Sequence, residues 1–452
     1  MSRDKGTRRP GHDTTTGPVA GHLVRMTLPM IVGILAVLSI SVADTYFIGQ
    51  LGVEELAALS FTFPIVFSLA SVAVGLGVGA SSVVSRAIGA QNEREVRRLA
   101  TDSLILAVLI VGALATLGLL TTEPLFGLLG ARPEQMVHIV AYMRIWYPGM
   151  VLLAVPMVAN NILRATGDAL SPSAIMVMAA VINIAVDPVL IFGLGPIPAL
   201  GMEGAAWAAL LARIGSIAGV FYLLLVRDRV LELTLPPLDD MRKSWVRVMA
   251  VGIPAALGHL VTPLGTGILT AIVARFGAEA VAGFGVATRI ESLALVPIFA
   301  LSTGIGPIVG QNWGAGRLER VRVALGQSYI ASMLWSASLA GTFWLFGPEI
   351  VRLFNSEPGI VEFAVDYLNI VPISLTGLGI LICLATAFNA MGRATRGLVL
   401  YLVRVFLLAI PLAWLGANLA GPTGVAFALA TANFVAALLA LLQHRHTFVR
   451  PI

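Results

Sequence analysis

The 452-residue chain has one cysteine, Cys383, which excludes a disulfide or a thiolate metal cluster within it. Charged residues make up only 12% of the sequence, about half the share of an ordinary soluble domain, so most of the chain cannot be presenting a solvated surface. Six scattered histidines form no HExxH pair, and a catalytic metal lacks ligands at helical spacing. The Walker A loop and the dinucleotide fingerprint are both missing. ATP is therefore not the energy source within this chain, and no ATPase subunit or organic cofactor is implied. A sequence pI near 9.7 would fit nucleic-acid binding only if basic residues were interleaved with aromatics on one face, and they are not.

What is abundant is apolar: 58% of residues are hydrophobic and the mean hydropathy is +0.91. A spanning helix needs about 20 apolar residues. Such runs occur at 26–49, 56–82, 101–122, 136–162, 172–194, 203–226, 248–274, 280–309, 324–346, 360–390, 395–418 and 422–442. The expected fold is an all-α membrane protein of twelve transmembrane helices. Long helical runs, without ten-residue alternation, exclude an outer-membrane barrel. With the N-terminus cytoplasmic, the outer loops carry only Arg132, Arg275 and Arg352, and every other loop arginine and lysine falls inside. Both termini are then expected in the cytoplasm, in a multi-pass protein of the inner membrane.

The chain is also a duplicated unit. Pro29 recurs as Pro254, and at the same offset Gly52, Glu54, Ala57, Gly79, Gly89, Ala90, Arg97, Pro133, Tyr142, Ala165 and Gly167 meet identical residues. Two repeats of six spans share one orientation, related by an axis along the membrane normal. The expected division is a disordered tail at 1–22, an N-lobe at 23–226, a cytoplasmic linker at 227–247, a C-lobe at 248–445 and a short tail at 446–452.

The repeat is broken where the acids lie. Asp44 is matched by Leu269, and Asp187-Pro188 by Ile410-Pro411 after a small deletion. Charges in hydrocarbon cost at least about 2.5–3.5 kcal/mol on insertion scales, so those retained need a reason. Asp44 and Asp187 fall at matching depth in the outer half of helices one and five. Asn183 is one turn before Asp187 on the same face, and Ser41 is three residues before Asp44. Burial and a second carboxylate both favour protonation, which makes this a candidate ion-coupling cluster. Pro29 and Pro188 remove helix hydrogen bonds and are candidate hinges. Glu291 is the third intramembrane acid, open between a functional role and pairing with a buried arginine. Glycines 75, 77 and 79 favour close helix packing.

Four segments carry a family resemblance: Asp44-Thr45-Tyr46-Phe47-Ile48-Gly49-Gln50-Leu51-Gly52, Gly89-Ala90-Gln91-Asn92 followed by Val96-Arg97-Arg98, Gly310-Gln311-Asn312-Trp313-Gly314-Ala315, and Asn183-Ile184-Ala185-Val186-Asp187-Pro188. They resemble multidrug and toxic compound extrusion (MATE) transporters, over roughly 23–445. The chain is similar to the DinF-like prokaryotic branch, whose acids lie in the N-lobe. Helices seven and ten lack the acids of the branch typified by the NorM exporters. The resemblance implies a V-shaped pair of six-helix bundles and export of cationic or amphipathic compounds against protons or sodium ions. It implies that Asp44, Asn160, Asn183 and Asp187 line the N-lobe cavity and that Pro29 sits at a bend of helix one. Sodium at Asp44, Asn183 and Asp187 stays open. The hydroxyl that relatives offer early in helix six is not evident in Glu203-Gly204-Ala205-Ala206-Trp207, which favours protons. Met30, Phe61, Met157 and Met176 are adaptable apolar residues expected to touch cargo. The expected partners are the bilayer and small organic cations or amphipathic drugs, with a monomer as the expected state. A flippase for a lipid-linked precursor is the alternative; it would need a cationic cavity to meet a pyrophosphate. An enzyme would need a nucleophile beside a base, and no such pair is visible.

Overall fold

The structure is a computed structural model that describes residues 13–232 and 237–448. The expected tails at 1–22 and 446–452 and the linker at 227–247 thus lie partly outside the described residues. The described part of the first tail becomes helical at Val19, and the linker is helical from Leu238.

The helices are α1 (Val19–Gly49), α2 (Val53–Gly89), α3 (Glu93–Leu128), α4 (Pro133–Ala165), α5 (Leu170–Phe192), α6 (Met202–Arg227) and α7 (Leu238–Phe276). α8 is a pair, Ala278–Ala294 and Val296–Gly314, bent by 40°. α9 (Leu318–Arg352) and α10 (Pro358–Ala390) follow. The remaining stretch, Ala394–Phe448, has 55 residues, about 80 Å of helix at 1.5 Å each, far more than one crossing of a bilayer core needs. Its backbone leaves the helical region at Ala420 and at Gly421, where φ is +63°. We therefore count α11 over 394–419 and α12 over 422–448, which makes twelve spans among the described residues. The duplication is visible in the helix ends themselves, since Pro133–Ala165 of α4 and Pro358–Ala390 of α10 are both displaced by 225.

Two compact units result, one formed by Leu28–Ala256 and the other by Thr15–Thr27 with Leu257 onward. This differs from the expected boundaries, because α1 and α7 each divide in mid-helix. In the first unit the start of α7 is bound by side chains. The Trp245 Nε1 donates to the Asp102 carbonyl at 3.0 Å, and Arg247 pairs with Glu95 at 2.6 Å. Backbones also meet: a Cβ on Gly75 would lie 2.5 Å from the Gly252 carbonyl oxygen, and one on Gly79 would collide with Val248. The glycine stretch read from the sequence is thus a helix-packing surface. In the second unit the start of α1 is held in the same way, with Arg320 donating to the Gly17 carbonyl at 2.8 Å and Gly304 closing on Met26 and Thr27. Pro29 and Pro254 each lie within one turn of the residue where their helix changes unit.

α4 runs through the core of the first unit, burying Ile139, Met143, Tyr147, Met150 and Leu163 against α2, α3 and α6. α10 does the same in the second, burying Leu375, Leu381, Cys383 and Phe388. The central position of these helices explains why their lengths have been kept in step.

Candidate functional site

Asp44 lies five residues before the end of α1 and Asp187 five before the end of α5, so the two share a depth. Their carboxyl groups come within hydrogen-bonding reach of each other. Two ionised carboxylates are acceptors only, and such a contact becomes a hydrogen bond when one of them carries a proton. Of the donors nearby, none bonds the buried carboxyl oxygens, and the Asn183 Nδ2 is itself unmatched. Asp44 Oδ1, both carboxyl oxygens of Asp187, both amide atoms of Asn183 and the Asn160 Oδ1 are buried without a protein hydrogen-bond partner. Asp187 is fully buried, Asn183 and Asn160 are buried, and Asp44 is half-buried.

Two further residues complete the cluster. Tyr142 of α4 interacts electrostatically with both carboxylates, and Arg213 of α6 with Asp44 and Tyr142. Arg213 is held in place by its Nη1 bond to the Gly149 carbonyl, 3.0 Å, and lies 5.9 Å from the Trp146 ring centroid. The sequence signal for Tyr142 was its exact repeat at Tyr367. For Arg213 it was only its place in an apolar run. One guanidinium against two ionised carboxylates leaves one negative charge uncompensated.

The other expected residues are placed as follows. The Pro29 carbonyl accepts the Ser173 hydroxyl, which ties α1 to α5, and Met176 packs against Gly33 at the same seam. Pro188 is half-buried inside α5. Phe61 and Met157 are half-buried against the core of the first unit. Met30 is 1% exposed, so in this conformation it is enclosed by protein. Ser41 does not join the acids: it is exposed, and its carbonyl accepts the Thr45 hydroxyl at 2.8 Å.

In the second unit Glu291 does not look toward Arg289. The Tyr367 hydroxyl donates to its Oε2 at 2.6 Å, and Arg404 is its electrostatic neighbour. Arg404 Nε in turn donates to Asn433 Oδ1 at 2.8 Å, and Asn433 Nδ2 to Ser374 Oγ at 2.9 Å. The C-lobe has thus lost the aspartates of its twin but keeps a carboxylate and an arginine around the repeated tyrosine.

Outside the membrane-spanning segments, Asp168 in the turn before α5 accepts from the Ser171 hydroxyl at 2.6 Å and from Arg227 at 2.6 Å. Burial alone would raise its pKa, but these bonds and the Ser171 backbone N–H outweigh it and hold the carboxyl below its ordinary value of 3.8.

A profile of the MatE family matches residues 29–189 and again 254–415, once per repeat. The chain belongs to the MatE family. It is 39% identical over 424 residues to the FAD transporter of Shewanella oneidensis, covering 94% of each chain. It is 27% identical to the probable multidrug resistance protein YpnP of Bacillus subtilis, covering 96% of this chain and 97% of that one. Among solved structures, the Vibrio cholerae MATE transporter VcmN in its bent form superposes with a TM-score of 0.91 at 30% identity, covering 96% and 98% of the two chains. This MatE protein is accordingly a multi-pass membrane transporter and not an enzyme.

Proposed function

We propose that this chain is a secondary active exporter of the cytoplasmic membrane, with both termini inside, driven by a proton taken up between Asp44 and Asp187. The observation that carries this reading is the pair itself: two facing carboxylates whose buried oxygens have no donor, with one guanidinium to balance them. A proton supplies both the missing donor and the missing charge. Its arrival removes an uncompensated charge from hydrocarbon, a change of at least a few kcal/mol. Both helices that carry the acids have a proline, and the Pro29 carbonyl is tied directly to α5. Repacking of α1 against α5 on protonation then changes the wall of the first unit's chamber and releases cargo outward. Sodium at Asp44, Asn183 and Asp187 is the competing ion.

For the cargo, the retained acids point to organic cations, whereas the relative with 39% identity is a transporter of FAD. A flavin dinucleotide is amphipathic and aromatic but carries a pyrophosphate, and it needs cationic groups within the spans. Arg213, within the first unit, is such a group and is partly accessible. We therefore place a flavin nucleotide first. Export of organic cations is the second reading, favoured by the multidrug relatives and by the excess of carboxylate over guanidinium in the first unit.

The test is transport in proteoliposomes with a proton gradient or a sodium gradient imposed separately, using FAD fluorescence and a cationic dye as alternative cargoes. FAD movement driven by the proton gradient is the expected result. Movement driven only by sodium replaces the ion, and dye movement without FAD replaces the cargo.

A further inference from the structure

Glu291 and Arg404 lie well inside α8 and α11, yet both remain partly accessible while the residues that hold them, Tyr367, Asn433 and Ser374, are buried. Their partners are core residues of the second unit, so both side chains are directed inward from α8 and α11. Each has one edge fixed and one edge available. Glu291 Oε2 takes the Tyr367 hydroxyl, which leaves Oε1; Arg404 Nε is committed to the Asn433–Ser374 chain, which leaves the Nη edge. The two charges act on one another electrostatically, but no ion pair within 4.0 Å joins them among the described residues. Arg404 sits in a π-helical turn, Val403–Ala409, a widened segment of the kind frequently found at functional sites. Tyr401, one turn earlier on the same face, packs at 3.5 Å from the Cβ position of Gly258 and supplies an aromatic wall.

A carboxylate and a guanidinium close enough to act on one another electrostatically, each with a free edge, repel the wrong ligands by charge. Arg404 opposes a cation and Glu291 opposes a phosphate. What fits is a neutral heteroaromatic edge that presents an N–H donor next to an acceptor. We infer that Glu291 and Arg404 form a recognition subsite for such an edge, with Glu291 accepting the N–H and the Arg404 fork donating to the neighbouring carbonyl or ring nitrogen. The imide edge of an isoalloxazine and the amidine edge of an adenine both carry this pattern. The ligand assignment rests on the flavin reading proposed above.

The experiment uses the full chain in proteoliposomes and follows FAD transport by its fluorescence. Leaving a buried donor or acceptor unmatched costs about 1–3 kcal/mol, roughly 5- to 150-fold in affinity. Arg404→Gln and Glu291→Gln are thus expected to raise the half-saturating FAD concentration about tenfold or more while the rate at saturation is retained. Competition by FMN and by ADP assigns the edge: FMN alone points to the isoalloxazine, ADP alone to the adenine. The wild-type protein provides a readout that no folding defect can imitate. An FAD methylated at flavin N3, or one dimethylated at the adenine amino group, lacks the donor and is expected to bind about tenfold more weakly when that ring occupies the site. Wild-type transport of FAD with both methylated forms accepted equally, or with both variants saturating as wild type does, overturns the subsite and leaves the flavin reading standing. No FAD transport by the wild type overturns the flavin reading and, with it, this assignment.

Discussion

The two units hold the same tyrosine at the same place in the same central helix, Tyr142 in α4 and Tyr367 in α10, and surround it differently. In the first, two carboxylates face one another with unmatched oxygens and a single arginine nearby. In the second, one carboxylate already has its hydroxyl donor and one arginine already has its amide. The first unit is short of a positive charge and of a donor, which is the condition for binding an exchangeable cation. The second is neutral and has its retained bonds satisfied, which is the condition for a fixed recognition surface. Duplication supplied the scaffold twice, and the charges entered it from different helices: α1 and α5 in one unit, α8 and α11 in the other.

The sharpest way to break this contrast is Asp187→Asn. The change keeps the volume and removes the titrating group, so gradient-driven export in proteoliposomes is expected to fall to the level of protein-free vesicles. The purified variant should unfold at or above the wild-type temperature, because an uncompensated buried charge has gone. Gradient-driven export that survives the substitution means the unmatched oxygens of the first unit are not where the ion binds.

Much of this contrast was legible in the chain. The 225-residue offset was readable because identical residues recur at fixed spacing, and the spans because hydrocarbon thickness sets their length. Asp44 and Asp187 stood out because charges there are expensive. The partners did not stand out. Arg213 and Arg404 lie in apolar runs where snorkelling explains an arginine equally well, and only the packing of α6 and α11 shows which way they turn. The compact units differ from the expected lobes for a related reason. Loops and charge density mark where a helix ends, whereas Gly75, Gly79 and Gly252 decide which bundle its first turns join. Ser41 was grouped with Asp44 by helical spacing, but α1 turns it outward.

A second comparison concerns the hairpins that end each unit, α5–α6 and α11–α12. The first has a nine-residue connection, 193–201, and the second only Ala420 and Gly421. Both depend on a glycine against backbone. A Cβ on Gly204 would collide with the Leu190 carbonyl, and one on Gly424 with the Gly416 carbonyl. Backbone cannot move aside as a side chain can, so Gly204→Val and Gly424→Val are each expected to destabilise by about 2–3 kcal/mol. Thermal unfolding in detergent measures this. Equal losses show that the hairpins are the same device despite the unequal loops; a tolerated Gly424→Val shows that the short turn can yield.

The smallest expected effect separates the turns that precede α5 and α11. Asp168 binds Ser171 and Arg227, while its repeat partner at offset 225 is Arg393, whose guanidinium lies 5.3 Å from the Trp313 ring centroid. The folded pKa of Asp168 lies below the unfolded value near 3.8, so its contribution to stability is complete above that value and is lost as pH falls through the folded one. Asp168→Asn is therefore expected to lower stability by about 1–3 kcal/mol at pH 7 and to unfold together with the wild type once both are titrated below the folded pKa. Arg393→Gln removes a cation–π contact worth about 0.5–1 kcal/mol at an exposed site, and with no carboxylate at that position its cost should not track this titration. If the Asp168→Asn deficit is unchanged from pH 7 down to strongly acidic pH, the network owes its strength to shape and not to charge, and the two turns differ less than their sequences imply.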